Sequence, residues 1–163
     1  MFFKPLRDIL NKAKKLDENR LMFEVLRNDT DLQDYILDLN RLEQLFKKGI
    51  QSDGADLVST NSSVGTYGRF TEELNAGRSF TYKGVSKSKI AGQKYFLYND
   101  GLWFNSFRFN PSLNYFEINA DSTRDNTNML DEYGDILGLT DESKAMLSIK
   151  LIPLLQTKLK QIL

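Results

Sequence analysis

One aromatic stretch, residues 93–109, restricts what this chain can fold into more than any other feature. It holds the only tryptophan, together with phenylalanines and tyrosines on both sides of an Asn-Asp-Gly turn signal: Tyr95, Phe96, Tyr98, Trp103, Phe104, Phe107 and Phe109. Aromatic side chains bury large areas and dominate protein cores and interfaces. The pattern predicts an apolar strand, a turn at 99–101, a short aromatic helix and a second strand. We expect the rest of the chain to pack around this stretch.

The residue types that are missing exclude several classes of function. The chain of 163 residues has no cysteine and no histidine. Disulfides, thiolate zinc sites, cysteine nucleophiles and Ser-His triads are therefore excluded, and we expect no cofactor. Lys plus Arg and Asp plus Glu are equal at 22 each, so the net charge provides no attraction to nucleic acid or an anionic membrane. No apolar run approaches the ~20 residues that span a bilayer, and we expect a soluble protein without a membrane partner.

Changes in composition divide the chain into four parts of one expected domain, residues 1–163. The parts are a helical N-terminal region (1–49), a long loop or arm (50–94), a sheet with a short helix (95–139) and a C-terminal helix (140–163). Apolar residues at helical spacing predict two N-terminal helices, at 4–28 and 30–48. A small antiparallel β-sheet should contain the aromatic stretch, with a hairpin between 107 and 118. The expected fold class is therefore α+β.

Two of these parts carry further expectations. Residues 50–94 show little pattern apart from the alternation of Phe80, Tyr82 and Val85, which indicates a strand within a long hairpin or loop arm of partial order. The C-terminal helix contains Pro153, which lacks the N–H donor that the preceding turn needs. We therefore expect this helix to be kinked or broken at Pro153.

The arm contains the one basic block of the chain. From residue 78 to residue 94 every charged residue is basic: Arg78, Lys83, Lys87, Lys89 and Lys94. With Phe80 and Tyr82 among them, these residues could follow a nucleic-acid backbone through charge and stacking. A solvated loop, or a charge match for the acidic segment 121–142, is the alternative. Lys83, Lys87 and Lys89 are the candidates for facing DNA or an acidic neighbouring surface.

The acidic segment partly fits a calcium-binding loop. Loop positions one, three, five and twelve are occupied by Asp121, Thr123, Asp125 and Glu132. Asn126 replaces the glycine at position six and Asn128 the apolar residue at position eight, which weakens the match. Paired carboxylates could also support a metal-dependent hydrolase through Asp125 or Glu132, but no nucleophile or oxyanion motif stands nearby. A solvated acidic loop is the favoured interpretation, and no metal site or catalytic residue is predicted.

The aromatic helix has two interpretations. Trp103 and Phe104 lie at its centre. Aromatic stripes usually belong to the core, but Trp and Tyr are also enriched at subunit interfaces. Both residues are therefore candidates for an interface as well as for the core.

Five segments, taken in order, resemble a small structural protein of phages and prophages of gut Bacteroidales, including crAss-like phages. They are Ile36–Asn40, Leu45–Leu57, Leu97–Phe107, Phe116–Asp121 and Glu132–Thr140. That family is similar to the tail-completion, or neck, proteins of tailed phages, which carry a Thr-Gly motif before a short helix that ends in Ser. Asp100-Gly101 and Ser106 stand at these places, and Tyr133-Gly134 at an aromatic-Gly pair near the last strand. The family's signature in the long loop is poorly kept around residues 59–71.

This resemblance implies a fold and a function. Neck proteins use a helix, a long β-hairpin and a small sheet to form rings between portal and tail. We therefore expect a structural virion protein without enzyme activity, which is made in the host cytoplasm and joins a homo-oligomeric ring at the head–tail neck. Its partners would be further copies of itself, the portal or connector, other tail or neck proteins, and double-stranded DNA in the lumen. The alternative is a stand-alone nucleic-acid-binding module that uses the basic loop 78–94.

Overall fold

The structure is a computed structural model that describes residues 17–62 and 64–162. The elements, in order, are α1 Glu18–Asn28, α2 Thr30–Asp38, a π-helix Leu39–Lys48, α3 Arg69–Leu74, β1 Phe80–Tyr82, β2 Val85–Lys87, α4 Leu102–Asn105, β3 Arg108–Pro111, β4 Phe116–Asn119, β5 Thr123–Arg124, β6 Thr127–Asn128, α5 Met129–Tyr133 and α6 Asp141–Ile162. The predicted α+β class is confirmed. The first predicted helix is observed from Glu18, and its part from 4 to 16 lies outside the described residues.

Aspartate caps separate the two N-terminal helices. The Asp17 carboxylate accepts hydrogen bonds from two backbone N–H groups in the first turn of α1, at 3.0 and 3.2 Å. Asp29 stands between α1 and α2, and its carboxylate accepts a hydrogen bond from the Leu32 N–H at 2.9 Å. These caps satisfy donors that a helix start leaves without a partner. The chain therefore turns from α1 into α2 within a single residue.

The second predicted helix, 30–48, is helical throughout, but it is wound as a π-helix from Leu39 onward. This π-helix turns polar side chains inward. The Asn40 amide donates to the Gly138 carbonyl at 2.7 Å, and the Gln44 amide donates to the same carbonyl at 3.0 Å. The Gln44 side-chain oxygen accepts from the Thr140 N–H at 3.0 Å. Because these hydrogen bonds join the π-helix to the backbone at Gly138 and Thr140, the π-helix fixes the place where the C-terminal helix begins.

The arm, residues 50–94, follows a defined path along the rest of the chain. It contains the short helix α3 and the antiparallel pair β1–β2, which confirms the strand predicted near Phe80. Lys83 and Gly84 form the tight turn of this pair with φ values of 47° and 81°. Isolated bridges join Ile50 to Asp56 and Thr66 to Lys94. The arm is therefore folded back along the core.

The aromatic stretch differs from its predicted form in one respect. Residues 95–98 belong to no strand, although α4 and β3 lie where a short helix and a second strand were predicted. A side chain takes the place of a neighbouring strand. The Tyr67 hydroxyl donates to the Phe96 carbonyl at 2.9 Å and accepts from the Phe96 N–H at 3.0 Å. Because this hydroxyl satisfies both backbone groups of Phe96, no strand partner is needed there.

The predicted antiparallel strands are present, but they are divided among several small sheets. The described residues form three separate antiparallel pairs, β1–β2, β3–β4 and β5–β6. The hairpin predicted between 107 and 118 is confirmed as β3–β4, in which Phe109 faces Ile118 and Pro111 faces Phe116. The apolar side chains of β1–β2 and β3–β4 pack against other parts of the core, so these sheets do not need to merge to bury them.

The C-terminal helix α6 runs without a break from Asp141 to Ile162, so of the kink or break expected at Pro153 the break does not occur. Pro153 lies on the exposed side of the helix. The carbonyl group four residues earlier loses its intrahelical donor but can be hydrated there, which keeps the cost of the proline low. Within residues 17–62 and 64–162, no helix is long and apolar enough to cross a membrane.

One core joins these elements. Its largest fully buried apolar side chains come from the helices, the arm, the aromatic stretch and the loop before α6: Leu32, Ile36, Leu39, Leu45, Phe46, Leu57, Phe104, Met129 and Ile136. Phe46 of the π-helix contacts Phe96, Tyr98 and Tyr82 edge-on, with ring centroids 5.3 to 6.0 Å apart. Such edge-to-face pairs contribute beyond their buried area. The π-helix and the aromatic stretch thus form the centre of the molecule.

Candidate assembly surfaces

The structure places Trp103 and Phe104 in the core, where they are 4% and 1% exposed. The Trp103 indole N–H donates to the Asp121 carbonyl at 2.8 Å, and the Phe104 ring packs edge-on against Tyr82 and Tyr98. These side chains present almost no surface to another molecule. Trp103 and Phe104 therefore belong to the core and not to an interface, because the aromatic surface that could have met another subunit is buried within the chain.

Lys83 is held by an acidic side chain of α2. Its amine forms an ion pair with the Asp38 carboxylate, which also accepts a hydrogen bond from Arg41 at 3.1 Å. The Arg41 guanidinium in turn donates to the Phe104 carbonyl at 3.1 Å. Lys83 therefore helps to fasten the β1–β2 turn to the helical part of the chain.

Lys87 closes the C-terminal end of the π-helix. Its amine donates to the carbonyls of Phe46 and Lys47, each at 3.0 Å, and lies 4.9 Å from the centroid of the Phe96 ring. Helix C-termini carry partial negative charge and free carbonyl groups, which favours a cation there. Burial lowers the pKa of Lys87 below its ordinary value. This lysine is directed into the molecule.

Lys89 lies against aromatic rings, 4.5 Å from the Phe80 centroid and 5.9 Å from the Phe96 centroid. Burial, followed by repulsion from Arg124 and Arg78, lowers the pKa of Lys89 to about 8. The Arg78 guanidinium lies over the same Phe80 ring at 5.2 Å. Part of the basic block is therefore a cluster of cations around one ring.

The basic block as a whole is used within the chain. Lys94, its last member, pairs with Asp56 at 2.5 Å. The acidic partners of Lys83 and Lys94 thus lie in α2 and the arm, and the expected charge match with segment 121–142 is not found for them. The structure does not gather Lys83, Lys87 and Lys89 into one open cationic face.

The acidic segment does not fold as a calcium loop. Asp125 and Asn126 form the turn between β5 and β6, with φ values of 50° and 64°. The Glu132 carboxylate is turned toward the arm, where it accepts hydrogen bonds from Ser59, from Thr60 at 3.1 Å and from Asn61 at 2.7 Å. Hydrogen bonding, led by Ser59, lowers the pKa of Glu132. Within the described part of the chain, no group of three or more acidic side chains is arranged to hold a metal ion.

Helix α3 carries an apolar patch that the sequence interpretation missed. Phe70 and Leu74 are 72% and 65% exposed, and their spacing of four residues places them on one side of the helix. The Glu72 carboxylate on another side accepts a hydrogen bond from the Ala91 N–H at 3.3 Å and ties α3 to the end of the arm. We call Phe70 and Leu74 the arm patch. Their spacing was a usable signal, but the polar composition around them obscured it.

An apolar groove with a volume of about 700 Å³ lies between β4, α6 and the start of α1. Its apolar lining includes Met22, Phe116, Leu130, Leu137, Leu147 and Leu151. Glu117, Asp135 and Lys144 also line it, so that charged groups of both signs accompany the apolar surface. Grooves of this kind, with apolar lining and few polar groups, are common sites for a side chain or ligand of another molecule.

Comparisons with known proteins add no family to these observations. No family model, curated protein or solved structure matches the chain. The resemblance to neck proteins therefore remains an expectation from the motif order, and the function has to be argued from the surfaces of the molecule.

Proposed function

We propose that the chain is a structural subunit of a homo-oligomeric ring at the head–tail neck of a phage particle. The ring would connect the portal or connector to the tail and help to retain or conduct double-stranded DNA. The order of the five segments that resemble the phage family supports this proposal. The observation that carries it is the arm patch: two large apolar side chains stand in solvent on a helix that the Glu72 carboxylate ties to Ala91 of the arm.

In the proposed ring, the arm patch of one copy enters the apolar groove of the next. Burying Phe70 and Leu74 would contribute roughly 1.5–3 kcal/mol for each side chain. The apolar side chains carry this contact, because α3 has Glu72 and Glu73 beside Arg69 and the groove is lined by Lys144 as well as by Glu117 and Asp135. A contact between two different surfaces of identical chains continues from copy to copy and can close into a ring.

The nucleic-acid-binding module receives less support. Lys83, Lys87 and Lys94 are each engaged with carboxylates or carbonyls of their own chain. A backbone-tracking groove needs cations that are free to meet phosphates. Contact with DNA is therefore proposed only for the assembled ring, whose lumen would enclose the DNA.

Mass spectrometry and image reconstruction of purified phage particles test the location. We expect the chain to be present in mature particles, in a copy number that equals a multiple of the neck symmetry. Density for the chain should lie between portal and tail. Its absence from mature particles would overturn the proposal.

A second experiment tests the arm contact in a complementation assay for particle assembly. The double variant Phe70→Asp/Leu74→Asp should fold normally, because both side chains are exposed, but it should fail to enter particles. Leu102→Asp is the matched control, since Leu102 is also 72% exposed and lies outside the patch. Normal incorporation of the double variant would exclude the arm patch as the ring contact.

A further inference from the structure

Helix α6 carries apolar side chains on two opposite faces. Its inner face is buried through Leu147 and Leu151. Its outer face carries Met146, Ile149 and Ile152, which are 38%, 76% and 52% exposed. Among the described residues, no large apolar side chain is more exposed than Ile149. Because residues three apart share one side of a helix, these three form a continuous outer stripe where a surface helix ordinarily carries polar residues.

Charged residues stand at both ends of the outer stripe. At about 100° per residue, Glu142 and Lys160 both lie within about 20° of Ile149 around the helix and about 27 Å apart along it. One carboxylate oxygen of Glu142 accepts a hydrogen bond from Lys48 at 2.5 Å, and the side chain remains 64% exposed. Lys160 is also exposed. The stripe is therefore acidic at one end, apolar in the middle and basic at the other end.

This order of charges is complementary to itself in one direction only. If two such helices lay parallel, Glu142 would meet Glu142 and Lys160 would meet Lys160. If they lie antiparallel, each Glu142 meets the Lys160 of the second copy, and the apolar middle regions meet each other. The pattern therefore selects a second copy of this chain, in antiparallel orientation, as the partner that fits the stripe.

We infer that the outer face of α6 binds the same face of a second copy around a two-fold axis at the level of residue 151. With Glu142 opposite Lys160, Met146 lies opposite Gln156 and Ile149 lies opposite Pro153. A two-fold contact uses each interaction twice, so the dimer contains two Glu142–Lys160 pairs around one apolar centre. A single pair of helix faces is small for a protein interface, and the dimer should therefore be weak.

This pairing is independent of the proposed ring contact. Ring closure uses two different surfaces, whereas a two-fold pair uses one surface twice. The groove is lined by Lys144, Leu147, Ser148 and Leu151, which lie on the side of α6 opposite the outer stripe. Both contacts can form on the same molecule, and the α6 dimer does not require a role in phage particles.

Sedimentation equilibrium over a concentration series tests the dimer. The full chain carries Phe70→Asp/Leu74→Asp, so that the arm patch does not contribute to association. We expect a reversible monomer–dimer equilibrium whose dissociation constant rises about 100-fold with Ile149→Asp, because both copies lose an apolar contact. Leu102→Asp is the control of similar exposure and should leave the constant unchanged.

Charge reversal tests the antiparallel orientation. Lys160→Glu and Glu142→Lys should each weaken the homodimer roughly tenfold, because both ion pairs become repulsive. A mixture of these two variants should associate as tightly as the starting protein, because in the mixed dimer both pairs are again attractive. Thermal unfolding of each variant shows whether the loss of the Lys48 contact affects the fold itself.

Engineered cysteines test the register, since the natural chain has none. At 1.5 Å per residue, the two copies of residue 152 are displaced by about 3 Å along the axis, and the two copies of residue 156 by about 15 Å. A disulfide needs Cβ atoms about 3.5–4.5 Å apart. Ile152→Cys should therefore form a covalent dimer on oxidation and Gln156→Cys alone should not. A mixture of Met146→Cys and Gln156→Cys should form the mixed disulfide.

Two results would overturn the inference. A chain that stays monomeric at every concentration, or a dimer that Ile149→Asp leaves unchanged, excludes the outer stripe as the contact. A dimer that depends on Ile149 but is not restored by mixing the two charge variants excludes the antiparallel pairing.

Discussion

The aromatic stretch and the arm meet in the core, but they are held there by different kinds of interaction. The aromatic stretch is held by buried rings, among which Phe104 and Tyr98 pack edge-on at 5.3 Å. The arm, besides its buried Leu57 and Phe80, is held by single polar contacts, such as the Lys87 amine on the π-helix carbonyls and the Tyr67 hydroxyl on Phe96. Removing one buried ring loses the free energy of its burial and leaves a cavity, whereas removing one polar contact lowers the stability by less. The two regions should therefore respond differently to substitution.

The largest effect is expected from Trp103→Ala. Removing a buried indole leaves a cavity and removes the hydrogen bond to the Asp121 carbonyl. Such substitutions lower the free energy of unfolding by roughly 3–5 kcal/mol. Urea denaturation monitored by circular dichroism measures this loss. Partial unfolding in buffer would agree with it, because that loss is a large part of the stability of an ordinary domain.

The neighbouring Leu102→Ala variant is the control, since Leu102 is exposed on the same short helix. It should change the free energy of unfolding by less than about 0.5 kcal/mol. If Trp103→Ala folds as stably as the natural chain but fails to assemble, Trp103 belongs to an interface instead of the core.

The next effect comes from the arm. Tyr67→Phe keeps the ring and its contacts with Tyr95 and Phe96 but removes the hydroxyl that serves the carbonyl and the N–H of Phe96. Two buried backbone groups then lack a partner, which costs about 2 kcal/mol. Denaturation measures the loss, and hydrogen exchange should show faster exchange of the Phe96 amide.

Tyr115→Phe is the matched control, because it removes the same atom from an exposed side chain. It should leave both the stability and the exchange rates unchanged. Equal stability of Tyr67→Phe and the natural chain would mean that water replaces the hydroxyl, and that the arm is held mainly by its rings.

The aromatic stretch and the arm also differ in how much of their structure the sequence predicts. Apolar spacing and aromatic area predicted the N-terminal helices, the aromatic helix α4, the C-terminal helix, the β3–β4 hairpin and the central place of the aromatic stretch, because these signals act over a few residues. The short helices α3 and α5 were not predicted. The extended path at 95–98 depends on a hydroxyl from Tyr67, and the role of Lys87 depends on a helix end 40 residues away. No local pattern contains such contacts.

The candidate surfaces also differ in how far the sequence predicts them. The arm patch could have been predicted, since Phe70 and Leu74 have helical spacing within a polar segment. The roles of Trp103 and Lys83 could not, because the same residue types serve cores, interfaces and ion pairs, and only the tertiary neighbours distinguish them. Charge in a sequence shows which residues can form ion pairs, but not whether their partner belongs to the same chain.

The smallest effect concerns Lys89, which belongs to the arm but lies against the rings. Burial, followed by Arg124 and Arg78, lowers its pKa to about 8 in the folded chain, against an ordinary value of 10.5. Between pH 8 and pH 10.5 the folded chain has released this proton while the unfolded chain still holds it. Unfolding therefore takes up a proton in this window, and the stability contributed by this site rises with pH.

Lys89→Met tests this difference, because methionine keeps an unbranched apolar side chain without the charge. The free energy of unfolding of the variant should exceed that of the natural chain most below pH 8, where the folded natural protein must hold a half-buried cation. This difference should narrow as the pH rises toward 10.5. Lys94→Met is the control, since the ion pair of Lys94 with Asp56 is half exposed. Denaturation curves at intervals from pH 7 to pH 10 measure both variants. If the difference in the free energy of unfolding between Lys89→Met and the natural chain does not change with pH, Lys89 is solvated like an ordinary surface lysine. Its amine then belongs with the polar contacts of the arm and not with the buried rings.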